Sequence, residues 1–202
     1  METRKRRPRS DALKNRDLLI GAAKEVLGTG GPNASLEAVA RRAGLGIGTL
    51  YRHFPNREAL FNAVFSKELE QLAETAEGLV GSPDPVAALR RWLHANVAVV
   101  ETKRGMLGAL SMVMTEESKQ AYSAQAGRIG AAVDRLLREA ADAGQIREGV
   151  SADDLLQTMY ALCYAREPGP GWREQVVRLL DIFVDGLITA GGSRSRSAGR
   201  PR

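Results

Sequence analysis

Between Ser35 and Phe54 the chain reads SLEAVARRAGLGIGTLYRHF. This stretch constrains the fold more than any other. Leu36, Val39, Ala40 and Ala43 recur at i, i+3, i+4 and i+7, which is one apolar face of a short helix. Ser35 stands where an N-cap is wanted, because a side-chain hydroxyl can accept a bond from the free backbone N–H groups of a first turn. Gly44 follows the last periodic residue, the position at which a helix commonly ends in the left-handed conformation. A second helix is expected from Ile47 to Phe54, with Leu50 and Phe54 inward and Thr49, Arg52 and His53 outward. The stretch therefore encodes two short helices joined by a tight glycine turn, an arrangement that lays its second helix in the DNA major groove.

The remaining chain carries the same period. Leu18, Leu19, Ala22, Ala23, Val26 and Leu27 predict a first helix over 16–27, ended by the run Gly28 to Asn33. Pro55-Asn56 breaks the second helix of the pair. A further helix over about 57–78 follows, with Leu60, Phe61, Val64 and Phe65 on its buried side. Gly81-Ser82-Pro83-Asp84-Pro85 reads as a boundary between an N-terminal head and a C-terminal body. Helices are expected beyond it at 85–100, 104–113, 116–142, 152–166 and 172–190. Their punctuation is a Thr102–Gly105 link, Gly144 as a C-terminal cap, Ser151 with Asp154 as a capping-box variant, and the Pro168 to Gly171 break. No segment shows sustained two-residue alternation rich in β-branched or aromatic residues, so no sheet is assigned and the fold class is all-α.

Charge is informative once it is located. The net +5 divides into +5 over residues 1–16, +4 over residues 191–202 and −4 between them. Arginine-rich ends with few apolar side chains cannot build a core, so residues 1–13 and 191–202 are expected to be disordered basic tails. The N-terminal arm reads the minor groove, only adds phosphate attraction, or stays a solvated tail. With 44% hydrophobic and 26% charged residues the chain is ordinary for a soluble globular protein. It holds no run of about 18 apolar residues that could span a membrane. A single cysteine, Cys163, excludes an intramolecular disulfide and a multi-cysteine zinc site, and points to the cytoplasm.

The run Gly48-Thr49-Leu50-Tyr51-Arg52-His53-Phe54, followed by Asn56-Arg57-Glu58-Ala59-Leu60-Phe61, resembles the signature of the TetR family of transcriptional regulators. The resemblance is close over about Lys14 to Leu72 and rests on helix pattern alone beyond. It implies a DNA-binding domain over 14–72, with its helix-turn-helix at 35–54, and a regulatory and dimerisation domain over 73–190. It further implies base-edge contact by Ile47, Gly48, Thr49, Arg52 and His53. Arg52 is suited to guanine O6 and N7, Ile47 to a thymine methyl, and Gly48 to close approach of the backbone. Ser35, Thr49, Tyr51 and Arg57 fit phosphate contacts. Tyr51 has the alternative of packing in the core beside Leu50, and His53 that of packing at the helix end. Where the family often has a serine or similar cap, this chain has Gly46, which weakens any role for a side chain there.

The resemblance also implies a small-molecule effector held in the body, a homodimer, a palindromic operator in double-stranded DNA, and repression. Trp92, Met106, Met112, Tyr122, Met159 and Cys163 are the candidate pocket residues, with plain core as their alternative. In helix 172–190 the apolar residues cover about 240° of the wheel, wider than the stripe of about 100° that one core needs. A two-fold copy is the commonest partner for such a surplus. The expected interface is Leu155, Met159, Leu180, Phe183 and Leu187; the alternative is that the helix is central within one subunit. No enzyme is expected. The Gly44-x-Gly46-x-Gly48 run follows no strand and is not GxGxxG, and His53 and His94 lack a motif-level nucleophile or metal partner. No cofactor or metal is implied. A non-specific DNA-compacting protein would explain the tails but not a displayed reading helix.

Overall fold

The computed structural model describes residues 9–30, 35–107 and 116–189. Eight helices fill them: α1 Arg9–Gly30, α2 Leu36–Arg42, α3 Ile47–His53, α4 Arg57–Leu79, α5 Pro85–Leu107, α6 Glu116–Asp142, α7 Ala152–Tyr164 and α8 Trp172–Asp185. The all-α class holds. Among the described residues the extended structure is a lone antiparallel bridge, Ile146 to Ile188. The chain divides into two compact units, a head (residues 1–67 and 102–115) and a body (68–101 and 116–202), so α4 and α5 each contribute to both. A continuous helix carries no sequence mark of where its buried side changes cores.

The head closes on its own core. Leu19, Ile20, Ala22 and Ala23 of α1 meet Leu36, Val39 and Ala40 of α2, Leu50 and Phe54 at α3, and Leu60, Phe61 and Val64 of α4. Each set recurs at three- and four-residue spacing, so packing selects one face of every helix. At the α2 terminus the Leu45 N–H donates to the Ala40 carbonyl (2.9 Å) and the Gly44 N–H to that of Arg41 (3.1 Å). This 6→1, 5→2 pair is a Schellman closure, and it requires the φ of +69° that Gly44 adopts.

Four expected boundaries are corrected. α1 begins at Arg9, so residues 9–13, expected in the disordered arm, are helical. The apolar period starts later, but Ala12 and Leu13 favour helix and Asp11 complements the dipole in the first turn. The same helix runs past Leu27 through Gly28-Thr29-Gly30, since glycine in a helix costs only about 1 kcal/mol. The Thr102–Gly105 link is no break. α5 continues to Leu107, and Lys103 sits over the Phe65 ring at 5.0 Å, where burial pushes its ammonium pKa down. The second half of the helix expected at 104–113 lies outside the described residues, as do residues 1–8 and 190–202 of the basic tails. Finally, α8 stops at Asp185 rather than near residue 190. Residues 187–189 leave the helix and pair with the α6–α7 connection. Arg147 N–H donates to Leu187 O (2.9 Å), Thr189 N–H to Gln145 O (3.0 Å), and the Thr189 hydroxyl to Gly144 O (2.5 Å).

The body is built from fully buried stripes: Leu89, Trp92, Leu93 and Val97 on α5; Val133, Leu136 and Leu137 on α6; Leu155, Met159 and Cys163 on α7; Trp172, Val176, Leu180 and Val184 on α8. Polar ties fix the register of these helices. The Arg128 guanidinium makes a two-pronged bond to Glu77 (2.8 and 2.7 Å) and holds that carboxyl below its ordinary pKa. Ser151 and Asp154 form the expected capping box at α7. Arg90 on α5 donates to the carbonyl and carboxylate of Asp181 (both 3.0 Å) and also pairs with Asp185, while His94 Nε2 lies 3.0 Å from the same Asp181 Oδ1. Burial pushes the Asp181 carboxyl up, but the bonds from His94 and Arg90 outweigh it and leave the pKa below the ordinary value.

Candidate nucleic-acid interface

Ser35 caps α2 as its sequence position suggests: Oγ accepts from the Ala38 N–H at 3.1 Å. Asn56 does the same for α4, accepting from Ala59 N–H at 2.8 Å. Between these two caps sits α3, seated through Leu50 (0% exposed) and Phe54 (2% exposed). With that seat fixed, the helical period turns Ile47, Gly48, Tyr51 and Arg52 outward, and all four are exposed. Tyr51 at 48% exposure is therefore no core tyrosine. Thr49 and His53 are half-buried, the His53 ring lying 6.4 Å from that of Phe54.

Glycine at 46 and 48 is not demanded by the fold. Gly46, the N-cap of α3, has φ −75°, and a Cβ at either position would meet nothing within 4 Å. The start of α3 thus presents bare backbone at an open surface. Gly46 supplies no side-chain cap, in keeping with the departure noted in the sequence.

Arg52 is ordered along its own helix: Nε donates to Gly48 O (3.2 Å) and Nη2 to Thr49 Oγ1 (3.0 Å). Arg57, half-buried, lies over the Phe61 ring at 5.2 Å, an intramolecular engagement that sequence reasoning did not foresee. Nor did it single out Arg16. This exposed residue of α1 holds its guanidinium over the Phe54 ring at 5.4 Å, next to the end of α3. Its only sequence signal was a cation near the start of the first helix.

In the body, Trp92, Met159 and Cys163 are all 0% exposed, and Trp92 Nε1 donates to Leu72 O (3.3 Å). Tyr122 is half-buried. Met112 and the side chain of Met106 lie outside the described residues. The described clefts are lined by other residues. One of about 410 Å³ lies at Asp134, Arg138 and 149–151, and one of about 560 Å³ lies in the head between Lys14, Leu18, Glu25 and Arg42. The larger holds no residue of the α3 face and is an open groove between α1 and α2. Of the expected interface residues, Leu155, Met159, Leu180 and Leu187 are 0–2% exposed within a single chain, and Phe183 is half-buried. The large apolar residues exposed on α7 and α8 are Tyr160, Tyr164, Leu179 and Ile182. Among the described residues no cluster of His, Cys, Asp and Glu could hold a metal, and no helix is long and apolar enough to cross a membrane.

A displayed second helix, seated by two apolar residues behind a glycine turn, defines a helix-turn-helix DNA-binding protein. Residues 19–64 match the family model of bacterial regulatory proteins of the tetR family, and residues 84–189 match the C-terminal domain of SbtR-like transcriptional regulators. The chain belongs to the TetR family and is a DNA-binding transcriptional regulator, not an enzyme. It is 35% identical to a TetR transcriptional regulator of known structure from Streptomyces coelicolor, with TM-score 0.72 over 87% of this chain and 99% of that one. A TetR transcription regulatory protein from Mycobacterium vanbaalenii is 28% identical, with TM-score 0.66 over 90% of this chain and 99% of its own. An HTH-type transcriptional repressor from Mycobacterium tuberculosis is 24% identical over 88% of this chain and 81% of its own length. An HTH-type regulator from Staphylococcus aureus, 32% identical, matches over only 36% of this chain and 39% of its own.

Proposed function

We propose that the chain acts as a homodimeric repressor that holds a roughly palindromic operator and releases it when a small molecule binds the body. The observation that carries the DNA half is the outward set Ile47, Gly48, Tyr51 and Arg52 on a helix whose glycines the fold itself does not require. On this reading Ile47 and Arg52 meet base edges with Thr49 behind Arg52, Gly48 admits the groove wall, and His53 lies at the margin of the contact. Ser35, Tyr51 and Arg16 take phosphates, joined by Arg57 if it leaves the Phe61 ring.

The dimer half is supported by the surface of α7 and α8. Tyr160 and Tyr164 are one turn apart, as are Leu179 and Ile182, and they are 36–60% exposed. Two neighbouring helices with exposed apolar stripes fit a four-helix contact with a two-fold copy. The interface is therefore centred on these four residues, because the buried Leu155, Met159, Leu180 and Leu187 have no surface to offer. Two copies of α3 then read half-sites about one helical turn apart. An effector acts by favouring a dimer in which that spacing is lost. The effector half rests on family membership, with Trp92, Met106, Met112, Tyr122, Met159 and Cys163 as candidate contacts.

Selection of bound duplexes from a random pool, with sedimentation of the free protein, tests the reading. An inverted repeat bound by a dimer is expected, followed by release of that DNA by one member of a metabolite panel. Enrichment of no sequence, or of one unrepeated half-site by a monomer, refutes it.

A further inference from the structure

An exposed arginine ordinarily samples many rotamers, and ordering it to read a base costs part of about 2 kcal/mol of side-chain entropy. Arg52 makes two bonds to its own helix in the free chain. Its partners, Gly48 O and Thr49 Oγ1, lie four and three residues back along α3, so the side chain folds toward the helix N-terminus. A guanidinium has two edges able to make paired bonds, one through Nε and an Nη, the other through both Nη atoms. Here the helix occupies Nε and one proton of Nη2. The paired donors left over are Nη1 and the second proton of Nη2, the end-on edge.

The same bond fixes the chemistry of the threonine. Thr49 Oγ1 accepts from Arg52, so the hydroxyl proton points elsewhere and is offered as a donor. Thr49 is half-buried, which limits its own reach, whereas the arginine it holds is exposed. We propose that Thr49 is a specificity-determining positioning residue: it holds Nη2 of Arg52 so that the end-on edge of the guanidinium meets guanine O6 and N7. Thr49 and Arg52 then form one reading unit rather than two independent contacts. This inference rests on the operator reading proposed above.

The test compares Thr49→Val, which keeps the shape without the hydroxyl, Thr49→Ser, which keeps the hydroxyl, and Arg52→Ala, alone and combined. Each is titrated against the operator selected with the unaltered protein and against duplexes with the guanine replaced by adenine in both half-sites. Thr49→Val is expected to reduce guanine-over-adenine discrimination by about twofold to tenfold, the worth of one exposed hydrogen bond. Thr49→Ser restores it, and Thr49→Val adds nothing in the Arg52→Ala background. In the free protein, the ¹⁵Nε order parameter of Arg52 should fall in Thr49→Val and not in Thr49→Ser, a readout that mere destabilisation would not move. If discrimination is unchanged in Thr49→Val, or its loss is the same with and without Arg52, the proposal is overturned while the operator reading stands. A protein that selects no sequence overturns both.

Discussion

Replacing Ile182 with glutamate should separate the proposed dimerisation from folding. Ile182 is 60% exposed in the single chain, so little of its side chain contributes to the subunit core. Fully burying an isoleucine is worth about 1.5–3 kcal/mol, which leaves about 1–2 kcal/mol still to be gained against a partner. A two-fold contact contains the residue twice, so about 2–4 kcal/mol of association energy is at stake. At 1.4 kcal/mol per decade, Ile182→Glu should raise the dimer dissociation constant by at least about 30-fold to 700-fold, the two like charges adding to the loss. Glutamate keeps the helix propensity of α8, and losing the covered part of the side chain costs the monomer only about 0.5–1 kcal/mol. Sedimentation velocity over a concentration series, paired with chemical denaturation, measures both quantities. Leu180→Ala is the contrasting variant: at 1% exposure it is core, and it should cost about 2–5 kcal/mol of folding stability. If Ile182→Glu sediments as the unaltered protein does at every concentration, the α7–α8 face is not the dimer contact.

Three further outcomes are expected. Arg52→Ala should weaken binding to the selected operator by roughly 1–3 kcal/mol and to random DNA much less, as measured by competition titration. Ser35→Ala removes the bond to Ala38 N–H and should cost about 1 kcal/mol of stability in thermal or denaturant unfolding, because the first turn of α2 loses its cap. Asp181 has a folded pKa below its unfolded value of about 3.9, so its contribution is complete above that pH and is lost as pH falls through the folded value. In Asp181→Asn the fall of unfolding free energy below about pH 4 should accordingly be shallower than in the unaltered protein, and an identical acid limb would remove Asp181 from that balance.

The head was the more legible unit because its signals are local. A serine cap, a glycine in the left-handed region and an i, i+4 seat are each written within a few residues, and Ser35, Gly44, Leu50 and Phe54 occupy those positions. The interface residues were harder to choose. A helical wheel gives the width of the apolar arc on α8 but not which part of it faces the subunit's own core. Leu180, near the middle of the inward face, looked like the natural contact, yet Leu179 and Ile182, about 100° and 160° round the helix from it, are the exposed ones. Ends of helices failed for a different reason. Gly105 and Gly28 look like stops, but one glycine costs too little to end a helix that packing favours. The exit of residues 187–189 depends on Gln145 and Arg147, some forty residues away, and no window along the sequence contains both.

The head's buried cluster draws its described members from residues 19–64. Substitutions on the outward side of α3 therefore need no compensating change among the body's buried stripes. A lineage can change which promoters it answers to while leaving intact the part proposed to sense metabolites, and it can do the reverse. Grafting the first sixty-odd residues of a relative onto this body moves Leu19, Leu50, Phe54 and Phe61 together, and it also requires that the residue replacing Phe65 still accept Lys103 of α5, which belongs to the head.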